Sequence, residues 1–138
     1  MQAIHEALTS IAGIADTSAV SVLAELLVLP TSMSARACTS HAGLDVRTYQ
    51  SGHSVQRPAR ISKHGNKYLR RALFLPALSN ARHDPHANQF KQRLLDRGKP
   101  KMQANVAIMR KLLTVCWAMV KKPQPYDGSK LYHTPKEA

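Results

Sequence analysis

The sequence predicts a small all-α domain with five to six helices, and three observations lead there. Apolar residues recur at helical spacing in stretch after stretch. Cap and stop residues punctuate those stretches, and no run alternates strongly enough to make a convincing strand. At 138 residues the chain has room for one domain whose core needs no covalent staples. The helical domain is expected to fill residues 1–123, followed by a flexible tail over 124–138.

Taken in order, residues 2–9 form a short helix that ends before Ser10. Gly13 supplies a tight turn, and Asp16 or Thr17 caps a second helix. In it Ala19, Val20, Leu23, Ala24, Leu27 and Val28 recur at helical spacing, up to about Leu29 before Pro30. A turn leading into a helix N-terminus can hold a backbone phosphate on free N–H groups, as helix-hairpin-helix elements do. It can equally be a corner of the core. Ser32 or Ser34 caps the third helix, which Gly43 stops. Leu44 to Ile61 has no helical period and reads as a loop, with room for a small hairpin around Val46, Thr48 and Tyr49.

Ser62 or Asn66 starts the fourth helix, with Tyr68, Leu69, Ala72, Leu73, Leu75 and Leu78 as its apolar face and Pro76 inside it. Asp84-Pro85 is a cap followed by proline at the first helical position, opening a fifth helix that Gly98 ends. The last long helix runs from about Lys101 to Lys122 and carries Val106, Met109, Leu112, Leu113, Cys116, Trp117 and Val120. Beyond Pro123 the chain has no core pattern.

Charge narrows the function. Twenty Lys and Arg against eight Asp and Glu give a formal charge of +12. A surplus of that size opposes compaction and suits a polyanionic partner, nucleic acid first and a membrane surface second. No apolar run approaches the ~20 residues of a membrane span, and the basic stretch lacks an amphipathic aromatic face. The start lacks a leader pattern, so a cytoplasmic location is expected. Cys38 and Cys116 stand in apolar helical contexts and read as buried reduced thiols, and His83 and His86 flank a helix start, not a metal site.

The positive charge is concentrated. Between Asp45 and Asp84 no acid occurs, while Arg47, Arg57, Arg60, Lys63, Lys67, Arg70, Arg71 and Arg82 all fall there. Two serines lie among these cations, at Ser51-Gly52 and Ser62-Lys63. A hydroxyl nucleophile flanked by guanidinium groups can form a covalent phosphoester, the cations neutralising charge on the phosphoryl oxygens. The same residues also make a phosphate-binding turn without chemistry. A two-metal nuclease site is a poorer fit, because the eight acids are scattered and sit at caps or helix ends.

An ordered succession of blocks adds a resemblance. I-A-G-I-A at 11–15, A-x-x-x-L-A-E-L at 19–26, H-A-G-L-D at 41–45, Q-S-G at 50–52, I-S-K-H-G-N-K-Y-L-R-R at 61–71, and R-G-K at 97–99 with a later R-K-L occur in that order. Over about Leu8 to Asp127 the chain resembles the C-terminal domain of the IS-one-ten family of insertion-sequence transposases, RNA-guided DNA recombinases of mobile elements. The resemblance implies DNA binding, a guide (bridge) RNA, assembly as oligomers and a bacterial, nucleoid-associated setting. It implies a catalytic serine at Ser51, with Ser62 as the alternative, although the place of Ser62 at a helix start suits capping. Arg57, Arg60, Lys63, Lys67, Arg70 and Arg71 would meet nucleic-acid phosphates, with Gly13 in the turn. Tyr68 and Leu69 belong to the core on this reading.

The sequence departs from the family pattern in two ways. Ala12 and Ala15 replace the proline and second glycine of the usual I-P-G-I-G turn. No counterpart is present of the RuvC-like domain that carries four acidic metal ligands. No cofactor is therefore expected in this chain, magnesium belonging to that other domain, and strand cleavage by this chain alone is not expected.

Overall fold

A computed structural model describes residues 1–44 and 66–133, together with the backbone of four two-residue strands between them. The domain is all-α, as the periodicity implies. The described helices are α1 (Gln2–Thr9), α2 (Asp16–Leu26), α3 (Ala35–His41), α4 (Lys67–His83), α5 (Pro85–Asp96), α6 (Lys101–Lys121) and α7 (Gly128–Leu131). That is one more than expected, and the addition lies in the segment read as tail. The strands β1 (Val46–Arg47), β2 (Gln50–Ser51), β3 (Val55–Gln56) and β4 (Arg60–Ile61) form two antiparallel pairs, β1 with β4 and β2 with β3.

Local chemistry sets most helix ends. Ser34 Oγ accepts from Ala37 N at 3.0 Å, and Asn66 Oδ1 accepts from Tyr68 N and Leu69 N at 3.0 and 3.2 Å. Asp84 closes α4 and opens α5, its Oδ1 accepting from His86 N at 2.8 Å. Gly43 and Gly98 take positive φ, 71° and 85°, just beyond α3 and α5. Pro76 lies within α4 without ending it.

α2 differs from expectation at both ends. Ala15 occupies the cap position and offers no side-chain oxygen, so Asp16 is the first helical residue, where its charge still favours the helix dipole. The helix stops at Leu26, and residues 27–29 tighten into a turn before Pro30.

α6 is the centre of the core. It packs most extensively on α4 and α3 and less on α5, α1 and α2. Ile108, Leu112, Leu113, Cys116 and Trp117 are buried in it, meeting Leu69, Leu73 and Ala77 from α4 and Leu8 and Ile11 from the N-terminal region in one cluster. Each such aliphatic side chain contributes roughly 1.5–3 kcal/mol on burial. Trp117 Nε1 donates to Met33 O at 2.9 Å, satisfying the indole while its ring fills the core. Cys38 and Cys116 are free and buried, and burial pushes their thiols up to about 11 and about 12.

The segment after Pro123 is not loose over its described part. Tyr126 N donates to Ser10 Oγ at 2.9 Å, and Tyr126 Oη donates to Asp84 Oδ2 at 2.5 Å. Tyr132 Oη donates to the fully buried Asn80 Oδ1 at 2.7 Å, and Phe90 stacks at a tilt on the Tyr132 ring, 5.2 Å between centroids. The flexible tail expected from residue 124 is therefore corrected up to His133. Polar pairing supplies the anchorage that apolar pattern could not. Residues 134–138 lie outside the described residues.

Candidate nucleic-acid interface

The basic segment 45–65 leaves the helical body and returns to it at nearly the same place. Leu44, its last preceding residue, is fully buried and donates its N–H to Thr39 O at 3.1 Å. Asn66, the first residue after it, donates its N–H to His41 O at 2.8 Å. Asn66 also donates from Nδ2 to Glu25 Oε2 on α2 at 2.5 Å while capping α4. Arg70 Nη1 adds a bond to Ala42 O at 3.1 Å. Both ends of the segment are thus fixed to the C-terminal end of α3.

Within the segment, backbone pairing places named residues opposite one another. Val46 faces Ile61 and Arg47 faces Arg60 in the outer pair, and Gln50 faces Gln56 and Ser51 faces Val55 in the inner one. Ser51 therefore ends a strand immediately before residues 52–54, and Arg60 lies across from Arg47. Sequence alone does not set Arg47 apart from the other cations. The available signal is its place in an extended stretch whose partner strand also carries an arginine. Arg57, Lys63 and the alternative serine Ser62 lie outside the described residues, and Ser51 and Arg60 are described in backbone only.

The remaining basic candidates separate by environment. Lys67 and Arg71 are exposed on the first turns of α4, with Lys67 Nζ 5.3 Å from the centroid of the Tyr68 ring. Arg70 is half-buried and occupied with the end of α3, so its role in positioning is visible in the structure. Tyr68, read as core, is exposed at the same end of the helix, while Leu69 is buried as read.

The Gly13 turn, read either as a phosphate holder or as a corner of the core, lies tightly against α4. Its φ of 102° demands glycine, and a Cβ there would lie 2.6 Å from Pro76 O and 2.8 Å from Asn80 N. The neighbouring carbonyl of Ala12 accepts from Asn80 Nδ2 at 2.7 Å. The turn packs onto α4 as a corner of the core. Asp16, paired with His5 at 3.3 Å, puts negative charge at the start of α2, and no Lys or Arg occurs before Arg36.

No group of three or more His, Cys, Asp or Glu able to hold a metal occurs among the described residues, His83 and His86 included. Nor is any described helix long and apolar enough to cross a membrane.

Comparison with known proteins decides the family. The sequence model of the transposase IS116/IS110/IS902 family matches residues 5–92, from within α1 through most of α5 and including the whole basic segment. The chain belongs to the IS116/IS110/IS902 transposase family. Pilin gene-inverting proteins of Moraxella lacunata and Moraxella bovis are each 43% identical to it over 96 residues, covering 68% of this chain and 30% of theirs. An insertion element IS110 protein of Streptomyces coelicolor is 33% identical over 89 residues, covering 64% of this chain and 22% of its own. The chain thus spans less than a third of the length of these IS116/IS110/IS902 relatives.

Proposed function

We propose that this chain is the nucleic-acid-gripping part of a DNA recombinase of this family, acting in transposition or site-specific DNA inversion. The observation that carries the reading is the match over residues 5–92, which includes the acid-free interval and its cations. Register adds support, because Arg47 and Arg60 stand directly opposite one another. Like charges so placed disfavour pairing unless an anion lies with them, and a phosphate is such an anion. Arg57, Arg60, Lys63, Lys67 and Arg71 grip DNA or guide-RNA phosphates, and Arg70 holds the frame they stand on. Ser51 is the nucleophile: its oxygen bonds to phosphorus, the bond to the departing deoxyribose oxygen breaks, and the hydroxyl proton ends on that leaving oxygen. Ser62 caps. Cleavage needs carboxylates from a RuvC-like partner, and further copies assemble around the nucleic acid.

The test has two arms. Fluorescence anisotropy with a labelled duplex gives binding whose logarithm falls linearly with the logarithm of salt. Combined Lys67→Ala and Arg71→Ala replacement should reduce that slope by about 0.9 for each phosphate no longer neutralised. A bridging-phosphorothiolate duplex, with a relative's RuvC-like domain added, should then yield an adduct that Ser51→Ala abolishes. Tight, salt-sensitive binding without adduct reduces the chain to a binding module, and absence of any binding at low salt overturns the proposal.

A further inference from the structure

Two exposed apolar surfaces are complementary, and Arg71 at the edge of one of them is their only residue that also belongs to the proposed grip. The first is a groove of about 490 Å³ between α1 and α2, lined by Met1, His5, Val20, Ala24 and Leu27 among others. Val20 is 59% exposed and Leu27 44%. No lysine or arginine lines it, Asp16 stands beside the lining residue His5 at 3.3 Å, and the groove's cation is the N-terminal amine of Met1; Glu6 and Glu25 are the other acids of positions 1–35. A polyanion is repelled from this face. An apolar element with basic flanks is drawn to it.

The second surface is such an element. On α4 Tyr68, Arg71, Leu75, Leu78 and Arg82 succeed one another at steps of three and four, and all are exposed. Leu75 is 69% exposed and Leu78 36%. This is a helical stripe with an apolar centre between two arginines. Val20 and Ala24 on α2 and Leu27 at its C-cap follow the same stepping. Equal stepping lets two helices lie nearly parallel, with side chains of one entering gaps of the other. Ala24 leaves the gap at the middle of the groove, where a leucine fits.

We infer that the α1–α2 groove of one copy takes the α4 stripe of a second copy, Leu75 and Leu78 entering beside Ala24 with Arg82 near the acidic rim. Net charge of +12 opposes self-association least where one of the two faces carries no lysine or arginine, as the groove lining does. The inference assigns surfaces to the assembly proposed above and does not depend on nucleic-acid binding. The contact is head-to-tail, since groove and stripe are different surfaces.

Sedimentation velocity on nuclease-treated protein tests this with Val20→Gln/Leu27→Gln, which spoils the groove, and Leu75→Gln/Leu78→Gln, which spoils the stripe. All four side chains are exposed, so the fold is kept, and circular dichroism checks it. The wild type should associate, and each variant alone should show an association constant at least about tenfold lower. Mixed one to one, they should form a heterodimer and nothing larger, because one intact groove then meets one intact stripe. A wild type that stays monomeric, either variant associating like wild type, or a mixture that stays monomeric overturns the inference. Duplex binding by anisotropy is read on the same samples. Its loss with assembly intact counts against the nucleic-acid reading and leaves this one standing.

Discussion

Replacing Gly13 by alanine separates two demands that glycine meets. The first is conformational: with φ at 102° an L-residue suffers the left-handed penalty, about 1–2 kcal/mol. The second is steric. The new Cβ would stand 2.6 Å from Pro76 O and 2.8 Å from Asn80 N, both backbone atoms of α4 that cannot rotate away. The α1–α2 turn must lift instead, at an overpacking cost of about 1–3 kcal/mol, and the bond from Asn80 Nδ2 to Ala12 O stretches with it. Together these come to roughly 2–5 kcal/mol.

Gly98→Ala is the control. It has positive φ, 85°, but a Cβ there meets nothing within 4 Å, so it bears the first cost alone. Urea unfolding followed by the fluorescence of Trp117, the single tryptophan and 1% exposed, reports both variants with one probe. Gly13→Ala should shift the midpoint at least about one and a half times as far as Gly98→Ala at unchanged slope. If the two shifts are equal, close packing on α4 is not what glycine at 13 is for, and the corner reading of this turn fails.

Three further outcomes follow from the buried polar and thiol groups. Asn80→Ala removes the donor to Ala12 O and the acceptor of Tyr132 Oη and should cost about 2–4 kcal/mol in the same urea titration, more than any exposed substitution on α4. Burial, with Asp84 close by, raises the Tyr126 and Tyr132 phenols above their ordinary value of 10.0. The unfolded chain then releases these protons first, so stability is unaffected below about pH 10 and falls as pH rises above it, and Tyr132→Phe should flatten that alkaline arm in thermal melts. Cys38 and Cys116, held at about 11 and about 12 mainly by desolvation, should resist iodoacetamide at pH 8 in the folded protein and react once urea unfolds it, as mass spectrometry reads directly.

What the sequence disclosed follows the reach of each signal. Caps at Ser34, Asn66 and Asp84 act within three residues, so α3, α4 and α5 begin where local chemistry puts them. The buried side of α2 was not legible. Ala19, Val22, Leu23 and Leu26 face the core, yet Val20, Ala24 and Leu27 make an opposite stripe just as apolar, and periodicity cannot choose between two such stripes. The same ambiguity put Tyr68, Leu75 and Leu78 on the core side of α4 when they are exposed. The anchoring of Tyr126 and Tyr132 escaped because its partners lie at Asp84 and Asn80, far away in sequence and recognisable by hydroxyl geometry alone. At the site, the cations and serines were legible from composition and spacing. The opposition of Arg47 and Arg60 depends on a register that no local residue announces.

The common anchorage of Leu44 and Asn66 at the end of α3 has an evolutionary consequence. A segment whose two ends already meet does not hold its host together, and lengthening it costs little: doubling a loop adds only about 0.6 kcal/mol of closure entropy. Residues 45–65 can therefore be exchanged as a cassette while the helical frame stays the same. Under the function proposed above, homologues are then free to diversify what they grip by rewriting this stretch, in the manner of antigen-binding loops on a fixed framework. A chimaera that carries a relative's stretch between Leu44 and Asn66 should keep this chain's melting temperature and take on the donor's nucleic-acid preference.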